Sequence, residues 1–177
     1  LGARVIKIEA APDGDPYRYF APDPVFSFNF AHLNRNKESL VLDLKAPEGK
    51  AICLELLKKA DVFVENFRPG TADRLGIGYG ALRKVNPKLV YCSISAFGQT
   101  GPYAEKPGFD TLGQALSGLL SLLSDADDPK VMGMAVSDYV TGLSAGYGIL
   151  GALFERERTA RITAGAFARL RLNFAAQ

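Results

Sequence analysis

Two aspartates stand where a carboxylate could do chemistry. Asp138 follows the apolar stretch 131–136 and opens a segment with helical spacing, and Asp110 opens another such segment. Backbone N–H groups at the start of a helix favour a carboxylate there, and a carboxylate can act as a nucleophile or exchange a proton. The same position also suits an ordinary helix cap. From the pattern alone, capping is the better interpretation of both residues.

The composition is that of an ordinary globular protein. Its 177 residues, 47% of them hydrophobic, suffice for one domain with a substantial core. The net charge of +2 provides no overall field that would attract a nucleic acid. His32 is the single histidine, which argues against a multi-histidine metal centre. Cys53 and Cys92 stand among apolar residues, and this predicts buried free thiols in a reducing, cytoplasmic setting.

The start of the chain predicts no signal peptide, because no charged leader precedes an apolar core. The longest weakly polar stretch, 140–154, is shorter than the roughly 18 to 20 residues that span a bilayer, so we expect no membrane partner. Residues 1–4 lead directly into an apolar strand pattern. We interpret them as the end of a helix whose beginning is missing.

Alternating strand and helix patterns predict a doubly wound, Rossmann-like α/β fold. The strands are predicted at 5–8, 41–44, 61–65 and 89–95, and the helices at 47–60, 71–75, 79–85, 110–123 and 138–158. Because strand, helix, strand order joins neighbouring strands by right-handed crossovers, we expect a parallel sheet with flanking helices. Sheets of this kind bind ligands at the carboxyl ends of their strands.

Five motifs, in order along the chain, resemble those of the family III CoA-transferases. They are VIKIE at 5–9, NRNK at 34–37, VENFRPG at 64–70, PGFD at 107–110 and SDYVTGLSAG at 137–146. The resemblance implies that residues 1–159 form an incomplete large α/β domain that binds CoA and carries the catalytic residue. We expect residues 160–177 to be a divergent basic tail, as in a truncated or frame-shifted reading frame. A basic partner-binding helix is the alternative for this tail.

The resemblance implies that Asp138 is the nucleophile in the movement of CoA between an acyl-CoA thioester and a carboxylic acid. A carboxylate can form a mixed anhydride and then an enzyme-bound thioester. In the related α-methylacyl-CoA racemase, a histidine precedes the aspartate of the PGFD motif, and here that position is Phe109. Racemisation therefore lacks one of its two bases. A catalytically incompetent CoA-binding fragment is the other alternative.

CoA carries phosphates and an adenine, so its site needs cations, backbone donors and flat apolar surfaces. The resemblance implies nine contact residues: Lys7, Leu42, Leu44, Lys45, Asn66, Phe67, Arg74, Leu75 and Phe109. A solvated surface charge is the alternative for Lys45 and Arg74, and a core role is the alternative for Phe109. The resemblance also implies an interlocked homodimer and no metal or redox cofactor, and it leaves the acyl donor and acceptor open.

Overall fold

The structure, a computed structural model, consists of two compact units, Leu1–Leu56 and Leu57–Gln177. It describes residues 2–19, 27–125, 127–131, 133–159 and 169–173. The boundary between the units lies inside a helix. The predicted division into residues 1–159 and 160–177 does not coincide with this boundary and stays a prediction, and most of the tail lies outside the described residues.

The first unit is built on a pair of parallel strands. Its elements are β1 (Val5–Ala10), a 3-10 helix (Pro16–Arg18), α1 (Phe28–Leu33), β2 (Lys37–Leu42) and α2 (Pro47–Leu57), which ends in the second unit. β1 and β2 pair from Val5 with Lys37 to Ala10 with Leu42. Asn36, at a φ of 62°, turns the chain from α1 into β2.

The bounds predicted for the second strand and the first helix are wrong. The strand predicted at 41–44 is β2, which begins at Lys37 and ends at Leu42. Its first residues are polar and exposed, so they lack the apolar signal on which the prediction depended. The Lys45 backbone N–H donates to Asp43 Oδ1 at 2.9 Å and closes the turn beyond the strand. The helix predicted to reach residue 60 is α2, which ends at Leu57.

The second unit contains a parallel sheet in the order β3-β4-β5. Its elements are β3 (Val62–Glu65), α3 (Thr71–Leu75), α4 (Tyr79–Val85), β4 (Val90–Ser95), α5 (Asp110–Leu116), α6 (Leu119–Leu123), α7 (Val136–Thr159) and β5 (Arg169–Asn173). Within β4 every residue except Ile94 is buried. This burial is typical of a strand covered on both faces. Parallel strands with flanking helices confirm the predicted fold class.

Two predicted helices differ from the structure in this unit. The helix predicted at 110–123 is two helices, α5 and α6, because Gly118 between them adopts a left-handed φ of 80° that a continuous right-handed helix excludes. The helix predicted from Asp138 is α7, which begins two residues earlier, at Val136. The predicted helices at 71–75 and 79–85 are confirmed as α3 and α4.

β5 lies in the segment that was predicted to be a divergent tail. It pairs in parallel with β4, from Tyr91 with Arg169 to Ser95 with Asn173. The alternative of a basic helix is therefore wrong for residues 169–173. Residues 160–168 and 174–177 lie outside the described part of the chain, and the predictions for them stand as made.

α7 is held against the sheet by small buried residues and by one arginine. It packs on α5, β4 and β5 and buries Thr141, Ala145 and Ala152. Near its end, Arg156 donates to Asp61 Oδ1 at 2.8 Å and to the Lys88 carbonyl at 3.1 Å. Both partners precede strands of the sheet, so the end of α7 lies at the amino ends of β3 and β4. The start of α7 therefore lies toward the carboxyl ends of these strands.

Candidate active site

A side chain from another helix caps the start of α7. Asp110, the first residue of α5, accepts hydrogen bonds at Oδ1 from the Ser137 N–H at 2.7 Å and from the Asp138 N–H at 3.2 Å. The Val136 N–H donates to the Met134 carbonyl at 2.8 Å. The first three N–H groups of α7 thus all have acceptors, although a helix start leaves such groups without partners inside the helix.

This arrangement corrects two expectations. We expected the N–H groups at the start of α7 to favour the carboxylate of Asp138, but those of Ser137 and Asp138 bond to Asp110 instead. We also expected Asp110 to cap its own helix. The capping position of α5 is Phe109, which has no side-chain capping bond, and the Asp110 carboxylate caps α7.

Gln114 holds the second oxygen of the Asp110 carboxylate. It lies one turn along α5, and its exposed fraction is 0%. Its Nε2 donates to Asp110 Oδ2 at 2.5 Å and to the Met134 carbonyl at 3.1 Å. The amide therefore ties α5 to the segment that leads into α7. All three donors to Asp110 in this network are neutral groups, so its negative charge stays uncompensated within the network.

Asp138 lies near the uncompensated negative charge of Asp110. Its carboxylate is solvent-accessible, yet partial desolvation by the surrounding protein raises its pKa, and the nearby charge of Asp110 raises this pKa further. A carboxylate with a raised pKa is more basic. Because perturbed carboxylates concentrate at functional sites, this pair is the strongest candidate for chemistry in the second unit.

An apolar groove lies beside Asp110, past the end of β4. It is lined by Ala96, Phe97, Gly108, Phe109, Leu112, Gly113 and Leu116. A Cβ atom on Gly108 would lie 2.2 Å from the Ala96 Cβ, so glycine is required for this close approach of the loop. Phe109 is 79% exposed and therefore does not fill the core, which was the alternative for this residue. Its ring is a flat apolar surface open to a ligand.

The turn after β3 carries two candidate CoA contacts. The buried carboxylate of Glu65 accepts hydrogen bonds from the Phe67 N–H at 2.8 Å and from the Tyr91 hydroxyl at 3.2 Å. These bonds fix the turn, on which the Asn66 side chain is exposed and Phe67 is half-buried. The turn belongs to the carboxyl end of β3, where a parallel sheet binds its ligands.

Arg74 and Leu75 lie at the end of α3, the helix that follows this turn. The Arg74 guanidinium is exposed and donates from Nη2 to Thr71 Oγ1 at 2.8 Å. Leu75 is half-buried. Because the acceptor is a neutral hydroxyl, this bond leaves the positive charge of Arg74 available to an anionic ligand.

The remaining candidate contacts lie in the first unit. Lys45 is exposed, Leu44 is half-buried and Leu42 is buried, so Leu42 could reach a ligand only through its backbone. The Lys7 ammonium pairs with Asp15 and lies 4.8 Å from the ring centre of Phe30. These bonds already occupy Lys7, which weakens its case as a phosphate contact. The assignment of all nine residues to CoA stays a prediction.

Glu9 is the centre of a second carboxylate cluster, which sequence analysis missed. Its side chain is buried and accepts hydrogen bonds from Arg18 Nη2 and Nε at 2.9 Å and from the Ser39 hydroxyl at 2.8 Å. The Asp15 backbone N–H donates to the same carboxylate at 2.9 Å. The bonds from Arg18 are the main reason that its pKa falls to about 2, against the opposing effect of burial.

Sequence analysis also missed Gln114 and Glu65. Gln114 follows Asp110 by four residues, and on a helix this spacing brings two side chains together, so the pair was visible as a local pattern. Glu65 lies within the VENFRPG motif, where its polarity at the end of an apolar strand was the available signal. No local pattern indicates that Asp110 caps α7, because the partners are 27 and 28 residues apart.

The residues that the structure describes contain neither a metal-binding cluster nor a membrane-spanning helix. In that part of the chain, no group of three or more His, Cys, Asp or Glu residues could hold a metal ion. Across the same residues, each helix is too short or too polar to cross a membrane. Cys53 and Cys92 are buried and free, as predicted, and burial raises the pKa of Cys92 to about 11.

The sequence model of CoA-transferase family III matches residues 1–167, and the chain belongs to this family. The match continues past Thr159, where the resemblance was expected to end. An acetyl-CoA:oxalate CoA-transferase of Acetobacter aceti is 48% identical over 91% of this chain and 42% of its own length. A mouse succinyl-CoA:glutarate CoA-transferase is 42% identical over 91% of this chain and 38% of its own length.

Solved structures agree with this assignment. A CaiB/BaiF family protein from Brucella suis superposes with a TM-score of 0.89 at 37% identity, over 99% of this chain and 47% of that protein. The Rv3272 protein of Mycobacterium tuberculosis, in an orthorhombic crystal form, superposes with a TM-score of 0.87 at 33% identity, over 99% and 48% of the two chains. The chain thus spans less than half the length of these relatives.

Proposed function

We propose that the protein transfers CoA between an acyl-CoA thioester and a carboxylic acid, with Asp138 as the nucleophile. The observation that carries the proposal is the position of this accessible carboxylate, with its raised pKa, at the start of α7 beside Asp110. The names of the relatives support the reaction class, because each describes transfer between a CoA thioester and an acid such as oxalate or glutarate.

The proposed reaction exchanges acyl groups without consuming water. An oxygen of Asp138 attacks the acyl carbon, the carbon–sulfur bond breaks, and the CoA thiolate leaves an acyl-aspartyl anhydride. The thiolate then attacks the aspartyl carbon and expels the donor acid as its carboxylate. The acceptor carboxylate attacks the resulting aspartyl thioester and releases the thiolate. Attack of the thiolate on the acceptor's acyl carbon completes the new CoA thioester and restores the Asp138 carboxylate.

The residues around Asp138 support transfer over racemisation. Phe109 precedes Asp110 and has no ionisable side chain, so it cannot serve as the second base of a racemase. Its exposed ring is suited to contact the cofactor portion of the substrate. Within the second unit we assign Arg74, Asn66, Phe67 and Leu75 to contact with CoA. Within the first unit the proposed CoA contacts are Lys7, Leu42, Leu44 and Lys45.

A homodimer in the cytoplasm stays part of this proposal. One face of α7 supports self-association, because large apolar side chains recur there at alternating intervals of three and four residues and are exposed. They are Val140, Leu143, Tyr147, Leu150 and Phe154. Such a stripe is typical of a helix that packs against another surface. Sedimentation velocity should detect a dimer that the variant Tyr147→Glu weakens, and equal sedimentation of a monomer in both proteins would contradict it.

A transfer assay tests the proposed function. The protein is incubated with acetyl-CoA or succinyl-CoA and with oxalate or glutarate in deuterated water, and the CoA thioesters are identified by mass. We expect a new thioester of the acceptor acid. Deuterium at the α-carbon of the donor without transfer would indicate the racemase alternative. Binding of CoA without either product would indicate the inert fragment.

A further inference from the structure

We propose that Asp110 is a positioning residue for the nucleophile. Its carboxylate, held by the buried amide of Gln114, fixes the first turn of α7 and thereby the location of Asp138. The inference rests on the proposed function, because it takes Asp138 as the residue that attacks the acyl carbon. It concerns a second carboxylate to which the reaction itself gives no covalent role.

α7 depends on this cap from α5 because the residue at its own capping position has no side-chain acceptor. The Tyr139 N–H donates to the Ala135 carbonyl at 3.0 Å, so Ala135 occupies the capping position of α7. Alanine has no side-chain acceptor and is a poor helix cap. Asp110 supplies the missing acceptor with one oxygen and serves two N–H groups, one of which belongs to Asp138 itself.

Gln114 makes this cap rigid. Its fully buried amide donates both to Asp110 and to the Met134 carbonyl, the same carbonyl that accepts the Val136 N–H. One amide thus joins the capping carboxylate to the segment before α7. Loss of the Asp110 carboxylate would remove the acceptor from two backbone N–H groups and from this amide. Polar groups that lose a partner in a partly buried site cost free energy, so the turn would rearrange.

The charge of Asp110 acts on the same nucleophile. It contributes to the raised pKa of Asp138, after the larger effect of desolvation. The described titratable side chains on the other elements that pack against α7 are Asp110 on α5 and Tyr91 and Cys92 on β4, whereas the side chains of β5 lie outside the described set. Asp110 therefore affects both the placement of Asp138 and its basicity, which a cap with a purely structural role would not do.

Two substitutions separate these effects. Asp110→Ala removes the capping oxygen and the charge. Asp110→Asn removes the charge and keeps one oxygen for the N–H groups of α7. Its Nδ2 faces Gln114 Nε2, so the bond between these two side chains is lost while the bond of Gln114 to the Met134 carbonyl is kept. Asp128→Ala is the matched control, because Asp128 is an exposed aspartate paired with Lys130 at 2.9 Å in the loop before α7. Asp138→Asn reports separately on the proposed function.

The measurements are kcat and KM for transfer, exchange of the Ser137 and Asp138 amides, and titration of the Asp138 carboxyl by carbon NMR. We expect Asp110→Ala to lower kcat about 100-fold, as a small misplacement of a reacting group does, with KM for acyl-CoA within about threefold. Both amides should exchange faster. Asp110→Asn should be at least about tenfold more active than Asp110→Ala, and its Asp138 should titrate at lower pH than in the wild type.

The outcomes distinguish the two proposals. Asp110→Ala with a kcat within about threefold of the wild type, beside an inactive Asp138→Asn, would overturn the positioning role and leave the nucleophile in place. An active Asp138→Asn would overturn the proposed function itself. If Asp110→Ala does not fold, Gln114→Met decides, because it releases the capping carboxylate without removing its charge. Unchanged kcat and unchanged exchange of the Ser137 and Asp138 amides in this variant would contradict the positioning role, and a lower kcat with faster exchange would support it.

Discussion

The two compact units each contain a carboxylate cluster, and the clusters have opposite electrostatics. In the first unit, Glu9 is buried beside the cations Arg18 and Lys7, and its pKa falls to about 2. In the second unit, Asp138 lies beside another carboxylate, Asp110, and its pKa is raised. Aspartate and glutamate both ionise readily at a protein surface. The surroundings of Glu9 and Asp138 therefore shift their pKa values in opposite directions.

Glu9 thus has the surroundings of a structural carboxylate, and Asp138 has those expected of the nucleophile that we propose. Charged and neutral donors occupy the oxygen lone pairs of Glu9. These donors stabilise the ionised form of the side chain, so Glu9 is a weak base. Asp138 has an accessible carboxylate whose charge is destabilised first by partial desolvation and then by the nearby charge of Asp110. A fold gains nothing in stability from two adjacent like charges, and such arrangements mark sites where chemistry needs a more basic group.

Substitution of Asp138 should have the largest effect of all, because it should abolish CoA transfer. Asp138→Asn keeps the size of the side chain and removes its nucleophilicity, so kcat should fall by at least about 1,000-fold, with CoA binding within about tenfold of the wild type. Steady-state kinetics and calorimetry measure the two quantities. Asp128→Asn serves as a control and should turn over normally. Near-normal turnover by Asp138→Asn would show that the comparison does not identify the nucleophile.

Substitution of Glu9 should lower folding stability. Glu9→Gln removes the buried counter-charge of Arg18, whose own side chain is partly exposed. We expect the free energy of unfolding to fall by about 1.5 to 3 kcal/mol, the range of a hydrogen bond to a charged group. Because the folded-state pKa is lowered from 4.5 to about 2, the wild-type contribution is complete above pH 4.5 and is lost as the pH falls toward 2. Denaturation at pH 7 and pH 3 checks both statements.

The exposed pair of Glu38 with Arg4 provides the control for this experiment. Glu38→Gln should change stability little, because solvent screens an exposed ion pair. If Glu9→Gln and Glu38→Gln lower the free energy of unfolding equally at pH 7, the buried ion pair of Glu9 stabilises the protein no more than the exposed pair of Glu38.

Arg74 differs from the cations beside Glu9, because its described hydrogen-bond acceptor is the neutral hydroxyl of Thr71. Arg74→Ala should weaken CoA binding by about 1.5 to 3 kcal/mol, the range of a hydrogen bond to a charged group, with a smaller effect on dephospho-CoA. Calorimetry with both ligands measures this, and Lys84→Ala on α4 is the control. Small and equal losses for both ligands would place Arg74 on the solvated surface.

The smallest effect should be on folding stability, which Asp138→Asn should increase in a pH-dependent way. A folded-state pKa raised above the ordinary 3.8 means that ionised Asp138 lowers stability at neutral pH, and that this cost vanishes as the pH falls below 3.8. The stability of Asp138→Asn relative to the wild type should therefore rise with pH, by less than about 1 kcal/mol, because the side chain is solvent-accessible. A difference that stays constant from pH 3 to pH 7 would contradict the raised pKa.

The sequence predicted those features of the fold that depend on local patterns. α3 and α4 were predicted at their observed bounds, because Gly70 and Gly76 flank α3 and Pro87 follows α4. The break at Gly118 was missed, since apolar residues on both sides preserve the helical spacing. The start of β2 was missed because its exposed polar residues carry no apolar signal.

The candidate site was predictable in part, through its motifs. Asp138 and Phe109 were identified from the resemblance, and their exposure is consistent with the roles assigned to them. The cap that Asp110 provides for α7 depends on a contact across 27 residues, as the bond of Ser39 with Glu9 does across 30. Contacts at such separations depend on the packing of whole elements, which a local pattern does not contain.

Peptide mapping after a single turnover shows whether Asp138 carries the reacting group. The protein is mixed with a stoichiometric amount of acyl-CoA, quenched in acid and digested, and the peptide that contains Asp138 is examined by mass spectrometry. We expect an acyl or CoA adduct on Asp138 that hydroxylamine removes and that Asp138→Asn lacks. An active protein that carries its adduct on another residue, or forms none, would contradict the assignment of Asp138 as the nucleophile.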